Sequence, residues 1–277
     1  MRRTRIAIRL ALALGAAGIP GGAALAGPVT FTWDPSEVMP ALTVVPAAFS
    51  ADAISVTNYI RTINVNNLTS LQQTFSGTQI QTINGFTLGG ASVVAPGLNS
   101  SYGLYFRINP AGSFPINASG TVIGPAVYSL LDVQLVADVG HDDGSVVNNS
   151  AGIGFSNSAG VTNDVLLATG SLLSASLSVS PTGTRNAHYT TTFRPVASEA
   201  AFFVAPSSAV GFEEFLNSPL STFQVTQLDP VTILNLVGAD GGSTGTAQLV
   251  PEPASIALLT VGLLALARGR RVVRLGA

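Results

Sequence analysis

Apolar and polar residues alternate along much of the chain, and this two-residue period predicts β-strands. Strands with this pattern bury one face and expose the other, as in an antiparallel sheet that packs on a core. We therefore predict an all-β fold, a single antiparallel β-sandwich domain over residues 27–237. The clearest runs place their apolar residues at Tyr102, Leu104, Phe106 and Ile108, at Val127, Leu131, Val133 and Leu135, and at Leu173, Ala175, Leu177 and Val179.

Other patterns predict where the strands end. The dipeptides Asn84-Gly85 and Asp143-Gly144 lie between apolar segments and predict hairpin turns, because Asn, Asp and Gly tolerate positive φ angles. The best helical spacing between the two ends of the chain lies in residues 208–216. The stretch 238–250 is rich in Gly, Ser and Thr and predicts a flexible linker that ends the domain.

Residues 1–26 have the layout of a secretory signal peptide. Arginines precede an apolar run over residues 10–19, and Ala24 and Ala26 form the small-x-small site that signal peptidase accepts. We therefore predict an N-terminal signal helix that signal peptidase removes before Gly27. An uncleaved anchor is the alternative, but the apolar run would cover only about half of a hydrocarbon core roughly 30 Å thick.

The C-terminal end contains a second short apolar segment. Residues 254–267 carry no charge and would form a helix roughly 21 Å long, which is short for a permanent span. Arg268, Arg270 and Arg271 follow, and by the positive-inside rule they stay on the cytoplasmic side and stop transfer. This layout predicts transient retention in the inner membrane through a short transmembrane helix.

Charge is scarce and unevenly distributed. The chain contains 12 Lys+Arg residues, every one an arginine, and 14 Asp+Glu residues. Nucleic-acid binding requires a basic surface and is therefore excluded. Abundant Ser, Thr and Asn supply a neutral polar surface, which suits a protein that lives among polysaccharides. The absence of Cys excludes thiol catalysis and Cys-ligated zinc. Between the two end segments, the remaining basic residues are Arg61, Arg107, Arg185 and Arg194.

The C-terminal segment resembles a known sorting signal. Pro251, Glu252 and Pro253 precede the apolar helix and the arginine cluster, and this order is similar to the PEP-CTERM sorting signal. The resemblance covers residues 251–277 and implies processing by an exosortase, a membrane transpeptidase that cleaves near the Pro-Glu-Pro motif. It also implies export in a Gram-negative bacterium that makes extracellular polysaccharide.

The body of the chain resembles flocculation-associated PEP-CTERM proteins. The resemblance rests on short stretches at residues 31–36, 49–54, 102–105, 163–170 and 201–204, which occur in the expected order. It implies a protein of the cell surface or extracellular matrix that promotes cell aggregation or biofilm formation through extracellular polysaccharide. The family offers no catalytic residues to carry over.

The densest group of candidate ligands is acidic. Asp138, Asp142 and Asp143, together with Asp132, could coordinate Ca²⁺ through hard carboxylate oxygens. The EF-hand pattern is not met, because Gly140 stands where an acid would be required. The alternative interpretation of the same stretch is a solvated Asp-Gly turn that binds no ion.

Catalytic arrangements have little support in the sequence. His141 and His188 are the only histidines, too few for a His-based zinc centre, and a Ser-His-Asp triad would need one of them. Glu213 and Glu214 form an acid pair, and glycosidases use two carboxylates about 5–10 Å apart. A place on the surface of the predicted helix is the favoured interpretation of this pair. We therefore predict that the protein is not an enzyme and needs no cofactor beyond the hypothetical Ca²⁺.

Aromatic side chains are the usual platforms for sugars, and the alternative for each is packing inside the fold. The leading hypothesis is an exported, non-enzymatic matrix or adhesion protein. A secreted glycan-acting hydrolase and a structural surface-layer protein without a sugar ligand are the alternatives. The candidates for glycan contact are Trp33, Tyr59, Tyr105 and Tyr128.

Overall fold

The computed structural model of the protein describes residues 29–37, 47–67, 70–117, 124–149, 152–157, 159–179, 185–207, 210–218, 222–229, 232–238 and 243–250. The predicted signal peptide, with its cleavage site at Ala24 and Ala26, lies outside these residues. The predicted sorting tail over residues 251–277 lies outside them as well. Among the described residues, no helix combines the length and the apolar character needed to cross a membrane.

Strands make up most of the described chain, as the alternating pattern predicts. Short 3₁₀ helices occupy Pro35–Glu37, Gly160–Asn163 and Ala197–Phe202. In chain order the strands are β1 (Phe31–Trp33), β2 (Phe49–Ala51), β3 (Ala53–Asn67), β4 (Gln72–Leu88), β5 (Ala91–Val93), β6 (Tyr102–Pro115), β7 (Val127–Val139), β8 (Val146–Asn149), β9 (Gly152–Phe155), β10 (Val165–Val179), β11 (Arg185–Pro195), β12 (Phe203–Ala205), β13 (Val210–Ser218), β14 (Thr222–Asp229), β15 (Thr232–Gly238) and β16 (Ser243–Val250).

The long strands form one antiparallel sheet that returns to its own starting strand. The strand order is β14-β15-β3-β16-β13-β11-β10-β7-β6-β4-β5, and β3 also pairs with β4. One edge of β3 pairs with β4, while its other edge pairs first with β16 and then with β15. The strands from β3 round to β4 therefore form a ring whose opposite halves face each other. The predicted all-β antiparallel fold is confirmed, and a β-sandwich describes this packing broadly.

The inward side chains of the ring meet in one apolar core. Each such side chain contributes about 1.5–3 kcal/mol through burial, so the core is the main source of stability. The alternation predicted for β6 is confirmed, because its four apolar residues at positions 102–108 all belong to this core. Every strand of the ring contributes a buried residue, namely Ile54, Ile83, Leu104, Leu135, Leu167, Phe193, Phe212 and Leu249.

A small sheet with the order β12-β1-β2 packs against the ring through aromatic side chains. Trp33 lies at its centre and is completely buried. Its ring centroid lies 4.6 Å from that of Phe31, 5.3 Å from that of Phe202 and 5.6 Å from that of Phe86. Because Phe86 lies near the end of β4, this aromatic cluster anchors the small sheet to the ring.

The hairpin of β8 and β9 covers part of the outer face of the ring. Tyr105 packs there against Phe155 of the hairpin, with ring centroids 4.8 Å apart. This second apolar cluster is separate from the main core, because its strand residues alternate with those that face inward. The buried members are Ile80, Tyr105 and Val136, and the hairpin side chains against them are Val146, Ile153 and Phe155.

A β-bulge in β10 makes the predicted apolar face wrong at Leu173. The pairing with β11 steps from Leu172 opposite Thr191 to Ser174 opposite Thr190, so Leu173 is an extra residue. The strict two-residue period therefore fails at this point, and Leu173 is 43% exposed. A similar irregularity in the pairing of β6 with β7 leaves Val127 exposed, although the alternation predicted it on the apolar face.

Long-range pairing also overrides three local predictions. Asn84 and Gly85 lie inside β4, where the register shift against β3 leaves Asn84 as a bulge residue; no hairpin turn forms there. The helix predicted for 208–216 is strand β13 over Val210–Ser218. The linker predicted for 238–250 is instead strand β16 over Ser243–Val250, because β3 and β13 offer it partners on both edges. Local composition carries no information about such partners.

Candidate functional site

Three aspartates from separate parts of the chain meet on the outer face of the ring. Asp138 lies near the end of β7, Asp143 lies in the following loop, and Asp164 directly precedes β10. One carboxylate oxygen of each lies within 4.8 Å of the other two. The pairing of Val165 with Ala137 places the start of β10 beside the end of β7, and so brings Asp164 next to Asp138. We call Asp138, Asp143 and Asp164 the acidic cluster.

The loop after β7 returns Asp143 to the cluster through several turns of the backbone. Gly140, His141 and Gly144 have φ angles of 88°, 52° and 76°, which favour glycine at two of these positions. The loop is held to the end of the β8–β9 hairpin, because the carbonyl of Asp143 accepts a hydrogen bond from the backbone N–H of Asn157 at 2.9 Å. The position of the Asp143 side chain is thus determined by its backbone.

Hydrogen bonds satisfy only part of the acidic cluster. Oδ1 of Asp138 accepts from the backbone N–H of Asp142 at 3.0 Å, and Oδ2 lies 3.3 Å from Nδ1 of His141. Oδ2 of Asp164 accepts from the hydroxyl of Tyr105 at 2.5 Å. Among the described residues, both carboxylate oxygens of Asp143 and Oδ1 of Asp164 are buried without a hydrogen-bond partner.

A glycine on the neighbouring strand gives the cluster its space. Gly103 of β6 pairs with Asp138, and a Cβ atom added there would meet Oδ2 of Asp138 at 3.0 Å and Nδ1 of His141 at 3.2 Å. Any larger residue would press on both side chains. The sequence shows this glycine within an apolar strand, but only the pairing with β7 reveals its function.

Burial and mutual repulsion raise the pKa values of the cluster. Desolvation is the largest cause for Asp143, and the charges of Asp164, Asp138 and Asp142 add to it, so its pKa rises to about 7. Arg107 acts in the opposite direction. Burial is also the main cause that raises the pKa values of Asp138 and Asp164. The site therefore favours either a bound proton or a bound cation at neutral pH.

The structure brings together two of the predicted calcium ligands and adds one that was missed. Asp138 and Asp143 meet, but Asp142 is exposed and its carboxylate accepts from Asn163 at 3.2 Å. Asp132 is exposed on β7 and lies outside the cluster. The alternative interpretation is wrong in placing Asp143 in solvent, because Asp143 is only 1% exposed. No local motif marks Asp164, which joins the cluster only through the pairing of β10 with β7.

Two of the four aromatic candidates for glycan contact are inaccessible. Trp33 is completely buried in its aromatic cluster, and Tyr105 is 2% exposed beneath the β8–β9 hairpin. Their predicted contact with glycan is therefore wrong, because a sugar cannot reach either ring. Tyr59 and Tyr128 are half-buried, and the ring of Tyr128 packs edge-on against Phe75 at 5.3 Å. Contact of these two with glycan stays a prediction.

The candidates for catalysis lie on strands away from the acidic cluster. His188 is half-buried on β11 and pairs with Phe215 of β13. Glu213 and Glu214 are successive residues of β13, where they pair with Thr190 and Tyr189 of β11, so the helix predicted for them is wrong.

The C-terminal end of the chain matches a known family pattern. The PEP-CTERM protein-sorting motif matches residues 249–271. The chain carries a PEP-CTERM sorting motif. The chain is thus a target of exosortase, exported and sorted to the cell envelope. No curated protein and no solved structure matches the chain.

The PEP-CTERM motif begins inside the folded domain. Leu249 is the first matched residue and is 1% exposed in the core, where it pairs with Phe212. Strand β16 ends at Val250, and Pro251 follows directly. The sorting motif therefore adjoins the last strand of the ring, without the spacer that the predicted linker would have supplied.

Proposed function

We propose that the protein is a non-enzymatic component of the cell surface or extracellular matrix of a Gram-negative bacterium. In this role it promotes cell aggregation, and so flocculation or biofilm formation, by binding extracellular polysaccharide. The sorting motif supports an envelope destination, and the resemblance of the body to flocculation-associated proteins supports aggregation. A continuous face of hydroxyl groups on the outside of the ring is the main support for polysaccharide binding.

This hydroxyl face spans β10 and β11. Its side chains alternate with core residues, so the hydroxyls lie on the outer side of both strands. The backbone N–H of Ser171 donates to Oγ1 of Thr192 at 3.0 Å, and the two hydroxyl oxygens lie 3.2 Å apart, which fixes neighbouring groups in one plane of the sheet. The hydroxyl face consists of Thr169, Ser171, Ser174, Thr190 and Thr192.

Neutral hydroxyl groups suit a ligand made of hydroxyl groups. They exchange hydrogen bonds with a sugar without the large desolvation cost that a charged side chain would carry. Each such contact is weak, but a polymer presents the same unit many times, and repeated engagement raises the overall affinity. Only 9% of the residues are charged, so few ionic groups compete with this mode of binding.

Two experiments test the proposal at different levels. Deletion of the gene is expected to reduce floc formation, and unchanged aggregation would contradict the role. In a pull-down on the organism's own exopolysaccharide, the Ser171→Ala/Ser174→Ala/Thr192→Ala variant is expected to bind less than the wild-type protein. The matched control is Thr74→Ala/Ser76→Ala, which removes exposed hydroxyls from β4 and is expected to bind normally.

The same preparations distinguish the other functions. Release of reducing sugar from matrix material by the purified protein would identify a hydrolase and would contradict a non-enzymatic role. Self-assembly in solution without polysaccharide binding would identify a structural surface-layer protein. Equal binding by both hydroxyl variants would show that the hydroxyl face is not the binding surface.

A further inference from the structure

We propose that the acidic cluster binds one Ca²⁺ ion through the carboxylates of Asp138, Asp143 and Asp164. This site lies at the end of β7 and the start of β10, whereas the hydroxyl face lies further along β10 and on β11. It also differs from the set of aspartates that the sequence alone indicates, because Asp164 takes the place of Asp142.

The spacing of the three carboxylate donors fits a single Ca²⁺ ion. Ca²⁺ binds oxygen at about 2.3–2.6 Å, so two oxygens on opposite sides of one ion lie up to about 5 Å apart. The three carboxylate oxygens lie within 4.8 Å of one another, which one Ca²⁺ ion spans without movement of the backbone. Carboxylate oxygens at this spacing suit Ca²⁺, which accepts several oxygen ligands in flexible geometry.

The side chain of Asp143 has no hydrogen-bond partner within the part of the chain that the structure describes. Its exposed fraction is 1%, and both of its oxygens are buried without a hydrogen bond among the described residues. Buried carboxylates are normally paired, hydrogen-bonded or bound to a metal, because an isolated one is costly. The backbone bond to Asn157 holds this unpartnered carboxylate in the cluster. A cation there would satisfy it.

The negative charge of the three carboxylates exceeds the positive charge near them. Arg107 is the nearby cation that lowers the pKa values of Asp143 and Asp164, but its guanidinium is directed to Tyr105, with Nη2 3.5 Å from the hydroxyl and Cζ 5.9 Å from the ring centroid. One guanidinium carries a single positive charge and cannot neutralise three carboxylates. A divalent ion placed between the carboxylates would neutralise most of their charge.

Tyr105 supports the site by holding the carboxylate of Asp164. Its hydroxyl donates to Oδ2 of Asp164 and thereby leaves Oδ1, which has no partner among the described residues, for the ion. Outer-shell hydrogen bonds of this kind orient metal-binding carboxylates. Tyr105 is therefore a positioning residue, and its ring lies close enough to act as an antenna for a luminescent lanthanide.

The ion would join three segments that are distant in the sequence. These are the end of β7, the loop that carries Asp143, and the start of β10. The same loop leads into the β8–β9 hairpin, which covers the second apolar cluster. Binding of Ca²⁺ is thus expected to hold the hairpin against the ring and to raise the melting temperature.

The test uses the full chain purified from producing cells and stripped with a chelator. Calorimetric titration with CaCl₂ is expected to show one site per chain, and Tb³⁺ is expected to luminesce on tyrosine excitation until Ca²⁺ displaces it. Asp143→Asn and Asp164→Asn are each expected to weaken Ca²⁺ binding by roughly tenfold or more. Asp132→Asn, which removes an exposed carboxylate from β7, is the matched control and is expected to bind as the wild type does.

Several results would overturn the proposal. Absence of both heat and displaceable luminescence in the folded protein would do so. So would equal losses in Asp132→Asn and Asp143→Asn, which would indicate diffuse attraction to negative charge. Circular dichroism checks that each variant keeps its β-sheet spectrum, and Asp164→Asn decides the matter if Asp143→Asn fails to fold. Tyr105→Phe adds an independent readout: it should lose most of the Tb³⁺ luminescence while Ca²⁺ still binds in the calorimeter.

Discussion

The hydroxyl of Tyr105 donates a hydrogen bond to Oδ2 of Asp164 at 2.5 Å, and this bond joins the middle of β6 to the segment that enters β10. The two residues do not belong to paired strands, because β7 lies between β6 and β10 in the ring. The bond therefore crosses the outer surface of β7, beneath the β8–β9 hairpin. Burial and this bond to Asp164 raise the pKa of Tyr105, so the phenol remains a donor at all ordinary pH values.

Replacement of Tyr105 by Phe tests how much this hydrogen bond stabilises the folded protein. The ring keeps its packing against Phe155, but Oδ2 of Asp164 loses its donor, so we expect a loss of about 1–3 kcal/mol in the free energy of unfolding. Urea denaturation measures this change. Tyr102→Phe on the same strand is the control: its buried hydroxyl has no partner among the described residues, so its removal should be neutral or slightly stabilising. Equal losses in both variants would contradict the prediction.

Gly144→Ala tests the loop that carries Asp143. A Cβ atom at Gly144 would lie 2.3 Å from Oγ of Ser156, whose hydroxyl accepts from the backbone N–H of Ser145 at 3.0 Å. We expect a loss of about 2–4 kcal/mol, because the clash adds to the cost of the positive φ angle. Gly140→Ala shares the positive φ but meets nothing within 4 Å, and should lose only about 1–2 kcal/mol in the same urea experiment.

The stability of the calcium-free protein should rise as the pH falls. The pKa of Asp143 is about 7 in the folded chain, through burial and the charges of Asp164, Asp138 and Asp142 against the opposing Arg107, and about 4 in the unfolded chain. The folded state therefore binds more protons between these values. Its extra stability is complete below about pH 4 and disappears as the pH rises through about 7.

Urea denaturation of the chelated protein at pH 8 and pH 5.5 measures this dependence. The protein should be more stable at pH 5.5, whereas excess CaCl₂ should raise stability mainly at pH 8, where the ion meets no competing proton. Asp143→Asn should reduce the difference between the two pH values, and Asp132→Asn should leave it unchanged. A chelated protein that is more stable at pH 8 than at pH 5.5 would contradict the assignment.

Trp33 should report on the aromatic cluster and not on polysaccharide. It is the single tryptophan of the chain and is completely buried, so its fluorescence should resist quenching by acrylamide until the protein unfolds. Trp33→Ala is expected to cost about 3–5 kcal/mol, as other large-to-small changes in cores do. The milder Trp33→Phe variant should keep wild-type binding to exopolysaccharide. A quenched signal on addition of exopolysaccharide to folded protein would contradict burial away from the ligand.

Alternation along the sequence predicts the parts of the fold that local geometry determines. The four apolar positions of β6 face the core because nothing interrupts their two-residue period. The same reasoning fails at Leu173, which is an extra residue opposite β11, whereas Leu172 before it and Ala175 after it both pack against the core. A bulge depends on the partner strand, so a pattern read along one strand cannot contain it.

The acidic cluster likewise combines residues that the local sequence indicates with one that only strand pairing brings in. Asp138 and Asp143 are close in sequence, and the local composition alone makes both of them candidate ligands. Asp164 lies far along the chain and reaches them only because β10 pairs with β7. The linker predicted for residues 238–250 is wrong for a related reason. The small residues of this stretch indicate flexibility, whereas β3 and β13 supply strand partners on both edges of β16.

The place of β16 links the folding of the domain to its delivery. In a chain exported with its N-terminus first, β16 is the last strand of the ring to emerge, and the rest of the sorting motif follows directly. The ring cannot close before β16 emerges, because β16 is the strand that lies between β3 and β13. Completion of the domain and presentation of Pro251, Glu252 and Pro253 to exosortase thus coincide.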